Sequence, residues 1–548
     1  MAYYKKKRWG GYKKPEISFD FSFYEKEFQM TEYHKDIQNA VKTGENVLVN
    51  AGPGSGKTTT IFRAILPALI EKYGQNSAGL LIAFNKKNAE EFKTKINPDN
   101  QNIKGGTIHS CLLEIGKNSA RLRNFRINGP QKETQFRRES YGKIREMADS
   151  IFEEETTFFR AKITQIVNLA RNNAIGIPGY SDINDDEAWR EIINRHSLSD
   201  ESGENSEEID ENSPDLIESA RRLFIESLKN TGELDFCDML YFPLYYGVEL
   251  PKLDFIIMDE GQDIFPITLE FLLRMAKNGT QIIMVGDKNQ AINAFAGSMN
   301  NAFHIAADKL NGMVLSMPVS FRCSKIAAEL ANNVFPDSVI PHENAKNGEK
   351  LYISFLEFSE KIDILDKNDV VLSRTHKNLI PFAMGFIKKG KKFVYKGIRE
   401  WAVKASRSLY HAAKMDKDLI NVRRSLTEYQ NDIEDRYYGK KMPKWVIEAG
   451  ENNEVLCLLI AGIEMEGGDF NTVKRYIKTL MESDNDNRDC ITLSTIHASK
   501  GGEWERVYIC GPLQSALAKT ENELKAEQCV EFVAYTRSSG DIIFVSDK

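Results

Sequence analysis

The stretch FIIMDEGQDI (255–264) delivers Asp259, Glu260, Gln262 and Asp263 to the end of an apolar run, with only Gly261 among them. Adjacent carboxylates repel one another unless a cation lies between or beyond them. Such a pair can hold a divalent metal ion through Asp259, usually by way of water, while Glu260 takes a proton from an attacking water. A second stretch supplies what the metal would hold. AGPGSGKTTT (51–60) has the spacing of a phosphate-binding loop. Gly52, Gly54, Ser55 and Gly56 let backbone N–H groups approach phosphates at a helix N-terminus. Lys57 neutralises the β- and γ-phosphates, and the hydroxyl of Thr58, followed by Thr59, reaches Mg²⁺. Loop and carboxylates together point to Mg²⁺-dependent hydrolysis of a nucleoside triphosphate. Charge developing on the γ-phosphate also calls for arginine. Arg322 in VSFRCS and Arg537 in AYTRSSG are the candidates.

Chemistry of this kind needs strands that end at one place. Short apolar runs recur as ENVLVNAG (45–52), GLLIAFN (79–85), FIIMDE (255–260), QIIMVGD (281–287), DVVLSRT (369–375), RVYICG (506–511) and DIIFVSD (541–547). They are β-branched or aromatic and lack polar alternation, as do strands buried on both faces of a parallel sheet. Helical patterns such as TTTIFRAILPALIEKY (58–73) and ITLEFLLRMAKNG (267–279) lie between them. The fold class expected is therefore α/β, with loop and carboxylates at the C-terminal edge of the strands. Residues ~116–225 and ~398–485 break the alternation, read as mainly helical, and are taken as insertions. The first carries the acidic stretch SDESGENSEEIDENSPD (199–215), which has the composition of a surface loop.

At 548 residues the chain exceeds one hydrophobic core, and 41% apolar with 28% charged residues is ordinary for a soluble globular protein. No apolar run approaches the ~18 residues of a membrane span. The N-terminus, MAYYKKKRWGGYKKP, is basic without the apolar stretch of a secretory signal. Its aromatics are interleaved with basic residues, so it is either an arm that grips a polyanion or a partner, or a solvated terminus. The seven cysteines are scattered with no C-x-x-C pair, which fits thiols in a reducing cytoplasm. With a net charge of −6, any polyanion must meet local basic surface.

In order, AGPGSGKTTT, LLIAFNKKNAEEF, GTIHS, GELDFCDML, IIMDEGQD, MVGDKNQAINAFAGS, VSFRCSKIAAELAN, LSTIHASKGGEWERVYICG and EFVAYTRSS form a pattern that resembles the UvrD/PcrA/Rep class of superfamily 1A DNA helicases. The resemblance covers roughly residues 28–120, 231–397 and 488–545. It implies two RecA-like parallel-sheet domains of a P-loop NTPase, each with a mainly helical insertion. The division expected is a basic tail (1–25), domain 1A (26–115 and 226–300), insertion 1B (116–225), domain 2A (301–397 and 486–548) and a reduced insertion 2B (398–485). ATP and Mg²⁺ would lie between the domains, with single-stranded DNA across their top.

By the same resemblance Gln290 senses the γ-phosphate, Arg322 and Arg537 act as arginine fingers, Phe321 stacks on adenine and Glu503 binds ribose. Phe84, Lys86, Thr107, His109, Phe295, Thr495, His497 and Lys500 contact the strand or couple it to ATP. His34 replaces the glutamine that reads adenine, which lowers the expected base selectivity. The Tyr and Arg of the family's third block are absent around Phe295. Lys548 stands eleven residues after Arg537, so no fused nuclease is expected. The compact size points to a phage or other mobile element. The activity implied is ATP-dependent translocation on single-stranded DNA and unwinding at single-/double-strand junctions, 3′ to 5′, by a cytoplasmic monomer that a protein partner could load. The alternative is a strand-stimulated ATPase that remodels protein–DNA complexes or gates DNA binding without processive unwinding.

Overall fold

The computed structural model describes residues 30–84, 86–96, 102–117, 142–196, 216–292, 301–414, 416–435, 444–484, 489–515 and 521–546, with isolated positions between. The basic tail, the acidic stretch 199–215 and Phe295 lie outside the described residues.

Two six-stranded parallel sheets organise the chain. The strands in chain order are β1 (Val47–Ala51), β2 (Gly79–Ala83), β3 (Ile103–Thr107), the short β4 (Arg126–Ile127) and β5 (Glu233–Leu234), β6 (Phe255–Asp259), β7 (Gln281–Gly286) and β8 (Met313–Met317). They continue as β9 (Val319–Ser320), β10 (Ile340–Pro341), β11 (Lys350–Ile353), β12 (Asp369–Ser373), β13 (Phe393–Lys396), β14 (Ile491–Thr495), β15 (Trp504–Cys510) and β16 (Ser538–Val545). The first sheet has the order β3-β2-β6-β7-β1-β8 and the second β11-β16-β15-β12-β14-β13. Every residue of β2, β6, β7 and β12 is buried, whereas the edge strands β8 and β11 are largely exposed. The unbroken apolar runs are thus the interior strands, covered on both faces.

Each sheet carries two cores. One face of the first packs on helices Glu32–Thr43 and Leu66–Tyr73. The other shares a core with the inserted helices Lys143–Ile151, Thr157–Asn172, Asp186–Arg195 and Leu216–Lys229, around Trp189 and Phe224. The second sheet repeats this plan. Helices Lys325–Val334 and Glu521–Tyr535 cover one face, and Ile398–Ala412, Leu419–Asp435, Lys444–Met465 and Phe470–Glu482 extend the core of the other. A buried ion network pins the first insertion to helix Phe236–Tyr245. Arg171 donates to Asp235 (2.9 Å) and Asp238 (2.5 Å), and Lys143 to Asp238 (2.8 Å).

One expected boundary moves. Helix Ala302–Leu310 packs in the first core and β8 pairs with β1, so the first α/β unit runs to Met317 instead of ending at 300. The reason is edge closure: β8 adds the outer strand beside β1 before the chain crosses to the second sheet. No helix among the described residues is long and apolar enough to cross a membrane.

Candidate active site

β1 leads into the loop Gly52–Gly56, and helix begins at Lys57. Gly54 and Gly56 have φ of +68° and +83°, the left-handed region that glycine tolerates. Space also decides at Gly54, where a Cβ would stand 2.4 Å from Arg322 Cβ and 2.8 Å from Ser320 Oγ. The loop is tied to the crossing between the sheets. The Gly52 N–H donates to the Met317 carbonyl (3.0 Å), and the Phe321 N–H to the Gly54 carbonyl (2.9 Å). Arg322 therefore lies against the phosphate loop. Among the described residues Ser55 Oγ is buried without a hydrogen-bond partner, and Lys57 Nζ has a long 3.4 Å contact to the Ala51 carbonyl. An orphaned hydroxyl and a weakly engaged ammonium on a glycine loop fit a bound triphosphate.

β6 ends at Asp259, and Glu260 follows in the left-handed region (φ +54°), a strained conformation for a non-glycine residue. The Glu260 N–H donates to Asp259 Oδ1 (2.9 Å), and Glu260 Oε2 accepts from Gln262 Nε2 (2.5 Å). Gln262 Oε1 in turn accepts the Asp287 N–H (2.9 Å) at the end of β7. Gly286 permits this, since a Cβ there would meet Gln262 Oε1 at 2.3 Å. Burial, and then the charge of Glu260, push the Asp259 carboxyl up to about 7. Burial acts to raise Glu260 too, but Lys500 and Lys57 prevail and hold it at about 2. The adjacent carboxylates thus differ: one is raised to near neutrality and the other stays charged. Thr58 and Asp259 would hold Mg²⁺, whose chemistry is to offset charge on the phosphates.

The second sheet contributes cations across the seam. Arg537 precedes β16 and is wholly buried. Its Nε donates to the Val533 carbonyl (3.0 Å), Nη1 to the Gly502 carbonyl (3.2 Å) and Nη2 to Gln290 Oε1 (3.2 Å). Gln290 Nε2 donates to Asp287 Oδ2 (2.7 Å), which joins Arg537 to the first sheet. Among the described residues Arg537 forms no ion pair, and burial followed by Arg322 pulls its pKa down to about 9. A buried cation in this condition is a receptor for an anion.

Three side chains assigned through the resemblance engage partners within the protein. Lys500, expected to contact the strand or couple it to ATP, puts its ammonium on Asp263, 3.4 Å from Glu260 and 3.2 Å from the Gln290 carbonyl. Burial acts to lower its pKa, but Glu260 and Asp263 raise it. Glu503, expected at ribose, accepts from Arg322 Nε (2.7 Å). His34, expected at adenine, is buried with both ring nitrogens engaged. Nδ1 accepts the Thr31 N–H (3.2 Å), so Nε2 donates to Thr60 Oγ1 (3.2 Å), and that hydroxyl donates to the Gly56 carbonyl (3.0 Å). His34 braces the phosphate loop in this arrangement.

The residues assigned to the strand cluster at C-terminal strand ends. Phe84 follows β2 and is 39% exposed, and Lys86 is open to solvent. Thr107 ends β3, where its Oγ1 accepts the Ser110 N–H (3.3 Å). Thr495 ends β14 with Oγ1 accepting from Ala498 N–H (3.4 Å), and His497 follows it. The His109 ring lies 5.3 Å from that of Phe236, which is 60% exposed. Phe236 escaped the sequence reading, although an aromatic directly after the helix-capping Asp235 was a visible signal. Gln262, Asp263 and Asp287 likewise gain roles only from their partners.

Two parallel sheets meeting at a phosphate loop, a carboxylate pair and a buried arginine define a phosphate-loop NTPase with two α/β units. The UvrD/REP helicase N-terminal domain matches residues 33–311, just over half of the chain, and the protein belongs to that family. It is 27% identical over 308 residues to the ATP-dependent DNA helicase srs2 of Schizosaccharomyces pombe, covering 52% of this chain and 32% of that protein. It is 24% identical over 360 residues to DNA helicase IV of Escherichia coli, covering 60% and 51%. A probable DNA helicase II homolog of Mycoplasma pneumoniae aligns with 94% of this chain and 84% of its own length at 22% identity. The chain spans about a third and about half of the first two relatives.

Proposed function

We propose that the protein is an ATP- and Mg²⁺-dependent translocase on single-stranded DNA that unwinds duplexes with a 3′ to 5′ polarity, working in the cytoplasm. The observation that carries the ATPase reading is Arg537, buried with no carboxylate partner among the described residues and bonded to Gln290 beside the Asp259–Glu260 pair. An anion seated on Lys57 and the loop N–H groups offsets this cation, and with it the mutual repulsion of Arg322 and Arg537. The phosphate is then held from both sheets at once. Glu260, charged and adjacent to Asp259, is the group that takes a proton from the attacking water. Loss of the phosphate removes the counter-charge, so the two sheets hold one another less strongly and can separate. Alternating grip of this kind moves a strand if each sheet's affinity for DNA differs between the two arrangements. We assign those grips to Phe84, His109 and Phe236 on the side of the first sheet and to Thr495 and His497 on the side of the second. DNA as the substrate is inferred from the relatives, which are DNA helicases.

The test is ATP hydrolysis with and without single-stranded DNA, then strand separation on duplexes with 3′ or 5′ tails, with Lys57→Ala as the inactive control. Strand-stimulated hydrolysis with separation of 3′-tailed duplexes is expected. Stimulated hydrolysis that leaves every duplex intact refutes the helicase reading and favours remodelling of protein–DNA complexes. Absence of hydrolysis refutes both.

A further inference from the structure

Phe321 is 55% exposed, so core packing does not hold its ring. Its backbone is fixed on the phosphate loop through Gly54, and its ring lies 4.8 Å from that of His342 at an interplanar angle of 34°. The register explains the meeting. β9 and β10 pair Val319 with Ile340 and Ser320 with Pro341, and the next residues on each side are Phe321 and His342. His342 is itself anchored: its N–H donates to the Ser320 carbonyl (2.9 Å), and its Nδ1 accepts the Asn344 N–H (3.2 Å). The imidazole is therefore held by its own turn and can fix the plane of the half-exposed neighbouring ring.

We propose that His342 is a positioning residue for the nucleotide base: it sets the plane of Phe321, so that the base rests on a two-ring ledge beside the phosphate loop. This inference rests on the ATPase reading above. A free aromatic side chain loses rotamer freedom when a base stacks on it, and a ring already held in plane loses less. The ledge acts on the base and not on the phosphates, which the loop and the cations hold separately.

His342→Ala should raise the KM for ATP by about two- to tenfold, the range of an aromatic pair, with kcat at saturating ATP unchanged. His342→Phe, which retains a ring, should restore the KM. Inhibition by inorganic tripolyphosphate, which has no base, should be the same in wild type and both variants. In a Phe321→Ala background, His342→Ala should add nothing, because it acts through Phe321. Equal weakening of ATP and tripolyphosphate, additive effects of the two alanines, or an unchanged KM each overturn the proposal. If the wild type hydrolyses no ATP, the ATPase reading fails, and calorimetric binding of ATP against tripolyphosphate in the same variants still decides the ledge.

Discussion

Arg537→Ala separates two quantities that usually fall together. For catalysis, removal of an arginine that neutralises the transferred phosphoryl group is expected to lower kcat by about 10³- to 10⁵-fold. For stability the structure predicts the opposite of a normal core truncation. Burial and Arg322 depress the Arg537 pKa to about 9, and at about 1.4 kcal/mol per pH unit that is a charge-burial penalty of at most about 5 kcal/mol. Against it stand four hydrogen bonds, to Val533, Gly502, Gln290 and Thr536, worth about 1 kcal/mol each, and the packing of the side-chain stem. These terms nearly cancel, so the nucleotide-free variant should melt within a few degrees of wild type or above it. Steady-state ATPase assays, with thermal melts with and without ATP, measure both quantities. A variant that keeps a tenth of wild-type kcat, or one that loses more than about 3 kcal/mol of stability without nucleotide, would falsify the assignment of Arg537 as an unpaired anion receptor.

Glu260→Gln should cut kcat by about 10²- to 10⁴-fold while ATP stays bound, and turnover at the wild-type rate would show that another group is the base. Because Asp259 is raised to about 7, Mg²⁺ must displace a proton below that pH. Affinity for Mg²⁺, titrated from pH 6 to 8, should fall as pH drops below 7 and flatten above it, and in Glu260→Gln the midpoint should move lower. A flat wild-type profile contradicts the raised carboxyl. Phe236→Ala should weaken single-strand binding by ~1–3 kcal/mol in a fluorescence anisotropy titration, with the salt slope of about −0.7 per phosphate unchanged. A changed slope would mean that the substitution disturbed phosphate contacts. Arg171→Ala leaves Asp235 and Asp238 buried with less compensation, and should cost ~3–5 kcal/mol in a urea unfolding curve. An unchanged midpoint would show that water replaces the guanidinium.

The sequence made the local machinery legible because local machinery is written in local spacing. A glycine loop before a helix, a carboxylate pair at a strand end and runs without polar alternation each depend on neighbours a few positions away. The interior strands, fully buried in β2, β6, β7 and β12, follow from those runs directly. The edge strand β8 was harder to place. Met313 and Val314 are exposed, so burial pattern offers no sign that this strand closes the first sheet beside β1.

Residue types and their spacing point to the chemistry on offer: a triphosphate site, a metal-holding carboxylate, a base, and arginines to complete it. Which partner each charged or polar group takes is settled by the fold. Lys500 meets Asp263 across 237 positions, Arg322 meets Glu503 across 181, and Arg537 meets Gln290 across 247. Even His34 commits its imidazole to Thr60, 26 positions away. The physical reason is that ion pairs and hydrogen bonds are selected by distances of a few ångströms at a seam between two sheets. Residue type states what a side chain can bind, and only the packing of the two sheets fixes what lies within its reach.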